Sequence, residues 1–145
     1  MLLLVHSWWR WLVLLAGVVA VARMIAGSRK SSAWTPSDRR AVLVYVAALD
    51  LQVLLGVALF LVSPRIASAL HDVAAAMAAP DVRAMLVDHP VAMLVALVLA
   101  HAGSIAARKA PSDQARFDRG GLLLGLSLVL ILLGIPWSRL LSPVA

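Results

Sequence analysis

Four long apolar runs, separated by short polar stretches, organise this chain. The first spans Leu2 to Ile25, and Gly27, Ser28, Ser31 and Ser32 break it. Thr35, Pro36, Ser37 and Asp38 then read as a helix start, with Thr35 as N-cap and Pro36 at the first helical position. The second helix therefore begins near Pro36, turns apolar at Ala41 and ends near Val62, before Ser63 and Pro64. The third starts at His89 and Pro90 and stays apolar to Ala107. Pro111, Ser112 and Asp113 form another helix-start signal, and the fourth apolar run covers Gly120 to Ile135, closed by Pro136 and Trp137. Each run is about 16–24 residues, the length a helix rising 1.5 Å per residue needs to cross a ~30 Å hydrocarbon core.

Residues 65–88 break the pattern. They are rich in alanine, moderately polar and too interrupted to span a bilayer. Pro80 and Asp81 divide them, which predicts two short helices, Ile66 to Ala78 and Pro80 to Val87, lying at the membrane surface. A connection of this length with structure of its own is often functional, or covers what lies beneath it. The expected fold is all-α: one integral membrane domain over residues 1–145, an up-down bundle of four helices with spans 2–25, 41–62, 90–107 and 120–135, and a short external helical segment at 65–88.

Composition agrees. The chain is 63% hydrophobic and 14% charged, against roughly 45–50% and about 25% in soluble domains. A chain of 145 residues could not hide that much apolar surface from water. There is no cysteine, so thiolate metal sites, disulfides and thiol nucleophiles are excluded. The net charge is +6, and all seven acidic residues are Asp. In a soluble protein this balance would point to nucleic acid, but here the basic residues sit in short loops and form no stripe on a foldable surface. Leu2 to Val21 has the look of a signal-peptide core, with Ala20 to Ala22 as its cleavage site. His6, Arg10 and the lack of an early positive charge argue for a retained first helix instead.

Orientation follows from lysine and arginine. Arg23, Arg29, Lys30, Arg39, Arg40, Arg108, Lys109, Arg116 and Arg119 fall on one side, and Arg10, Arg65, Arg83 and Arg139 on the other. The positive-inside rule puts both termini and residues 65–88 outside, in a bacterial inner membrane the periplasmic face. Trp8, Trp9, Trp11 and Trp137 then form an aromatic belt at the outer interface, with Trp34 inside. The spans also hold several glycines, which let helices approach closely in lipid.

Ionisable residues inside spans are costly and are functional candidates by default. Here they are His6, Arg10, Asp50, His89 and His101, with Arg23 near the inner end of the first span. His6 and His89 lie at one depth near the outer face. Two histidines facing each other across a bundle are a candidate axial pair for haem b iron. Arg10, one turn below His6, is then a candidate partner for an anionic group such as a propionate. Met93 would supply an apolar wall. Interfacial histidines satisfied by water, with His89 merely opening its helix, are the plainer alternative.

Deeper in the inner half, Asp50 is ~15 Å from Arg40 and His101 ~10 Å from Arg108. That depth makes Asp50 and His101 a candidate buried polar pair, either a proton relay or a static hydrogen bond, with Tyr45 and Gln52 contributing polar contacts. His89 and His101 are twelve residues apart, about 120° around a helix, so both cannot point at one bundle axis. His71 beside Asp72 reads as a solvated surface residue. No Ser–His–Asp spacing, phosphate loop or HExxH motif is present, so a catalytic role of its own is not expected.

The set His6, Trp8, Trp9, Arg10 and Trp11, then Asp50, Gln52 and Gly56, then His89-Pro90 with His101, and finally Ile135-Pro136-Trp137, resembles a family of small bacterial four-helix membrane proteins loosely labelled cytochrome-b-like. The resemblance covers nearly the whole chain. It implies a membrane bundle and favours haem. Some members carry histidine where this chain has Asp50, and that departure removes a candidate second-helix ligand. Three readings follow. One is a haem b subunit ligated by His6 and His89 and exchanging electrons with quinol or an external carrier. Another is a cofactor-free accessory subunit of a larger membrane complex, such as a respiratory or photosynthetic assembly, packed in lipid against other membrane subunits or copies of itself. The third is a proton or solute conduit using Asp50 and His101.

Overall fold

The computed structural model describes residues 1–137. Among them every regular element is helical. In chain order these are α1 (Leu2–Lys30), α2 (Pro36–Val62), α3 (Pro64–His71), α4 (Val73–Ala78), α5 (Pro80–Arg83), a π-helical turn (Ala84–Asp88), α6 (His89–Lys109) and α7 (Asp113–Gly134). Four helices are long and apolar enough to cross a membrane: α1, α2, the continuous stretch Pro80–Lys109, and α7. Arg139, assigned above to the outer side, lies outside the described residues.

Local signals account for the helix starts. The Thr35 side chain accepts from the Asp38 N–H, and the Asp38 carboxylate accepts in return from the Thr35 N–H, a complete capping box with Pro36 in the first turn. Ser63 caps α3 by accepting from the Ile66 N–H, and Ser112 caps α7 by accepting from the Ala115 N–H. Helix α1 runs past its apolar stretch to Lys30, because Arg29 and Lys30 are good helix formers that suit a helix C-terminus. It stops at Ser31 in the left-handed region (φ 48°).

The connection departs from expectation. In place of the first surface helix, expected at Ile66 to Ala78, it holds two short ones, α3 and α4. Asp72 divides the first, because its carboxylate caps α4 by accepting from the Ala75 N–H. The second, expected at Pro80 to Val87, is no separate element but the leading end of the third long helix. Pro90 explains the junction. It has no N–H to donate, and its ring crowds the carbonyl four residues back. The helix widens there, and the His89 N–H bonds to the Ala84 carbonyl five residues earlier.

The four long helices pack in a ring: α1 on α2 and α7, and α6 on α2 and α7. Tyr45, Leu49, Leu124, Ala96 and Ala20 are fully buried at its centre. Helices α6 and α7 pack tightly where Gly103 faces Gly120. A Cβ on Gly120 would lie 2.8 Å from the Ala107 Cβ, so the small residue lets the two helices pack there. Most apolar surface stays outside the ring. In the most apolar window of each long helix only 28–33% of residues are buried. Leu12, Leu15, Leu54, Val98, Leu122 and Leu133 are among the large side chains left exposed.

Candidate functional site

The start of α1, the end of α2, the start of α6 and the end of α7 converge at one end of the ring, and the polar side chains of these segments meet there. His6 and His89 face each other with ring centroids 6.4 Å apart and planes at 81°. His89 Nδ1 donates to the Gly134 carbonyl at 2.8 Å, since that oxygen can only accept. This fixes the tautomer and leaves His89 Nε2 with a free lone pair, the arrangement metal-ligating histidines adopt. His6 lies against α2. The Gln52 amide nitrogen donates to the His6 backbone carbonyl at 3.1 Å and sits 3.2 Å from His6 Nε2. Room for the His6 ring comes from Gly56, where a Cβ would stand 3.3 Å from His6 Cε1.

Three buried polar atoms in this cluster have no hydrogen-bond partner: His6 Nδ1, Gln52 Oε1 and Arg10 Nε. Buried polar atoms are nearly always paired, so three together mark a site built for something more than these residues. Arg10 lies one turn along α1 from His6, its guanidinium 5.5 Å from the Trp11 ring. A 360 Å³ groove opens beside His89, between α6, α7 and the π turn, lined by Ala84, Asp88, Ala92, Leu133 and Gly134 among others. The donor set of two imidazoles, with Arg10 whose Nε has no partner, suits a haem with its propionates. His6 is the less prepared ligand, because Gln52 holds its Nε2.

Asp50 and His101 also meet, His101 Nε2 lying 2.7 Å from Asp50 Oδ1. Depth counting brought these two together, but their setting differs from a buried pair. The side chains are 42% and 48% exposed, in the surface groove between α2 and α6. The helical offset from His89 explains this: with His89 turned inward, His101 must turn out.

Tyr45 and Gln52 do not join that pair. Gln52 serves His6. Tyr45 pairs with Ser127 at 2.9 Å, and Ser127 donates to the Ala96 carbonyl at 2.7 Å, so the Tyr45 hydroxyl must be the donor to Ser127. This relay ties α2, α7 and α6 together at the centre. Only knowledge of which helices are neighbours could have revealed it. Trp9, expected in an aromatic belt, is instead half-buried and donates to the Ala48 carbonyl at 2.9 Å, whereas Trp8, Trp11 and Trp137 are exposed.

At the opposite end Arg23 and Asp38 form an ion pair at 2.8 Å, with Asp38 buried. This pair joins α1 to the start of α2. Ser28 and Gln114 meet Asp118 there too, joining α1 to the start of α7. His71 is exposed, and among the described residues no three His, Cys, Asp or Glu side chains gather as a metal site. Compared with known proteins, the chain matches no family model, no curated protein and no solved structure.

Proposed function

We propose that the chain is a small integral membrane subunit that binds one b-type haem at the His6–His89 end and relays electrons. Its four long helices then cross a bacterial inner membrane alternately, with the His6 end outside. Exposed leucines and valines on every long helix support the bilayer, since soluble proteins rarely expose apolar patches beyond a few hundred Å². The contacts of α1's end with the starts of α2 and α7 support the up-down order. The basic side chains gathered at the Arg23–Asp38 end support the orientation.

The observation that carries the haem reading is the facing of His6 and His89, 6.4 Å apart, from helices that are not ring neighbours. When bound, haem supplies a one-electron iron couple tuned by its axial ligands and their hydrogen bonds. The residues do the rest. The Gly134 carbonyl holds the His89 proton on Nδ1 and so points its Nε2 lone pair as a donor. Gln52 holds His6 in place until its Nε2 is needed. Arg10 offers a positive charge to a carboxylate, and its unpaired Nε is then satisfied. Residues 64–88 lie in sequence just before His89 and provide an outer surface where a quinol headgroup or external carrier would approach. An oxidised-minus-reduced visible spectrum of the purified protein tests this, with a b-type α-band expected.

A cofactor-free accessory subunit is the second reading. It is favoured by a separate observation: the exposed Asp50–His101 pair asks for a neighbour. The conduit reading has less support, because that pair lies on the outside of the ring rather than along its interior.

A further inference from the structure

Asp50 and His101 stand far from both polar ends of their helices. At 1.5 Å per residue, Asp50 is ~15 Å beyond Arg40 and His101 ~10 Å before Arg108. Around them the α2–α6 face is apolar: Leu43, Ala47 and Leu54 on α2, and Leu94, Val98 and Ile105 on α6, all exposed. A half-exposed acid–imidazole pair in such a band contradicts a lipid-facing surface, because hydrocarbon offers polar atoms no partners.

The pair is also unfinished. Its one bond uses His101 Nε2 and Asp50 Oδ1. Among the described residues, His101 Nδ1 and Asp50 Oδ2 make no hydrogen bond. In the overall-neutral pair one proton is shared in the bond and one sits on Nδ1. What remains is therefore one donor and one acceptor, side by side. Such a pair is complementary to itself. A two-fold axis brings each donor onto the other's acceptor, as isologous interfaces do.

We infer that the α2–α6 face is the interface between two copies of this chain, closed at its centre by His101 of each copy donating to Asp50 of the other. Ala47, one turn from Asp50, is the small residue that lets the copies approach. The inference rests on the membrane setting proposed above, and it does not depend on haem.

Absence of native cysteine makes the test direct. Because the two-fold axis sets α2 of one copy against α6 of the other, two full-length chains, one carrying Ala47→Cys and one Ile105→Cys, are co-expressed and oxidised in native membranes. Leu126→Cys, exposed on α7, is the control. Disulfide-linked species of twice the chain mass are expected when Ala47→Cys and Ile105→Cys chains are mixed, and not when Leu126→Cys replaces Ile105→Cys. Adding Asp50→Leu with His101→Leu, which removes both polar groups from a face outside the core, should lower the yield about tenfold or more, a loss of about 1.4 kcal/mol in association. Monomers from the mixed Ala47→Cys and Ile105→Cys chains would overturn the inference. So would crosslinks to a different polypeptide, which would assign the face to another subunit. Carbonate extraction of the same membranes separates the two levels of the argument. A chain released into solution refutes the membrane setting itself, whereas a retained monomer refutes only the dimer.

Discussion

Ser127 is the most consequential polar residue in the core, and removing it should cost more than removing its partner. Both Ser127 and Tyr45 are 0% exposed. In Ser127→Ala the Tyr45 hydroxyl loses its acceptor and stays buried, and the Ala96 carbonyl loses a donor. A buried donor left unsatisfied costs about 1–3 kcal/mol, and interhelical hydrogen bonds in membrane proteins fall near the low end, about 0.6 and at most about 1.7. Ser127→Ala should therefore destabilise by about 1–2 kcal/mol. Tyr45→Phe removes the donor, and Ser127 keeps its bond to Ala96, so the cost should be about 0.5–1 kcal/mol. The double variant leaves no orphan and should be no less stable than Ser127→Ala alone. Reversible unfolding in mixed micelles of increasing SDS fraction measures all three. Additive losses, or a larger loss in Tyr45→Phe than in Ser127→Ala, would refute the assigned direction of the relay.

Two further outcomes follow from the geometry. Gly56→Leu should displace the His6 ring and abolish any α-band as completely as His6→Ala. Gly56→Ala needs a shift of only a few tenths of an ångström and should retain the band, and equal spectra from the two variants would contradict the packing of His6 on α2. For orientation, a membrane-impermeant maleimide applied to intact spheroplasts should label Ala74→Cys and leave Ala33→Cys unlabelled until lysis. The reverse pattern would invert the topology.

Legibility in the sequence followed the range of each interaction. The caps at Thr35, Ser63 and Ser112 act within four residues, so their residue types announce them. The depths of His6, His89, Asp50 and His101 follow from counting along helices of fixed rise, and those counts brought the right residues to the same level. Facing was harder to read. Whether Asp50 and His101 lie inside the ring or on its surface depends on which helices adjoin and how each is rotated. Four apolar helices of nearly uniform hydrophobicity carry little information about rotation. The same lack of rotational information hides the partners of Tyr45, Ser127 and Gln52. Depth alone groups Trp9 with Trp8 and Trp11, but adjacent residues on a helix point about 100° apart, and Trp9 turns inward to Ala48. The π turn before Pro90 reflects a backbone conflict that a proline signals. Relief by widening, rather than by a break in the helix, was not encoded in any local pattern.

The central claim is that two facing histidines make this bundle a haem protein. Its most direct test is the oxidised-minus-reduced visible spectrum of protein expressed with ample haem supply and purified folded, with His6→Ala and His89→Ala alongside. The account predicts a b-type α-band in the parent chain that is lost in both variants. A featureless spectrum from folded parent protein, or a band that survives both substitutions, would contradict it.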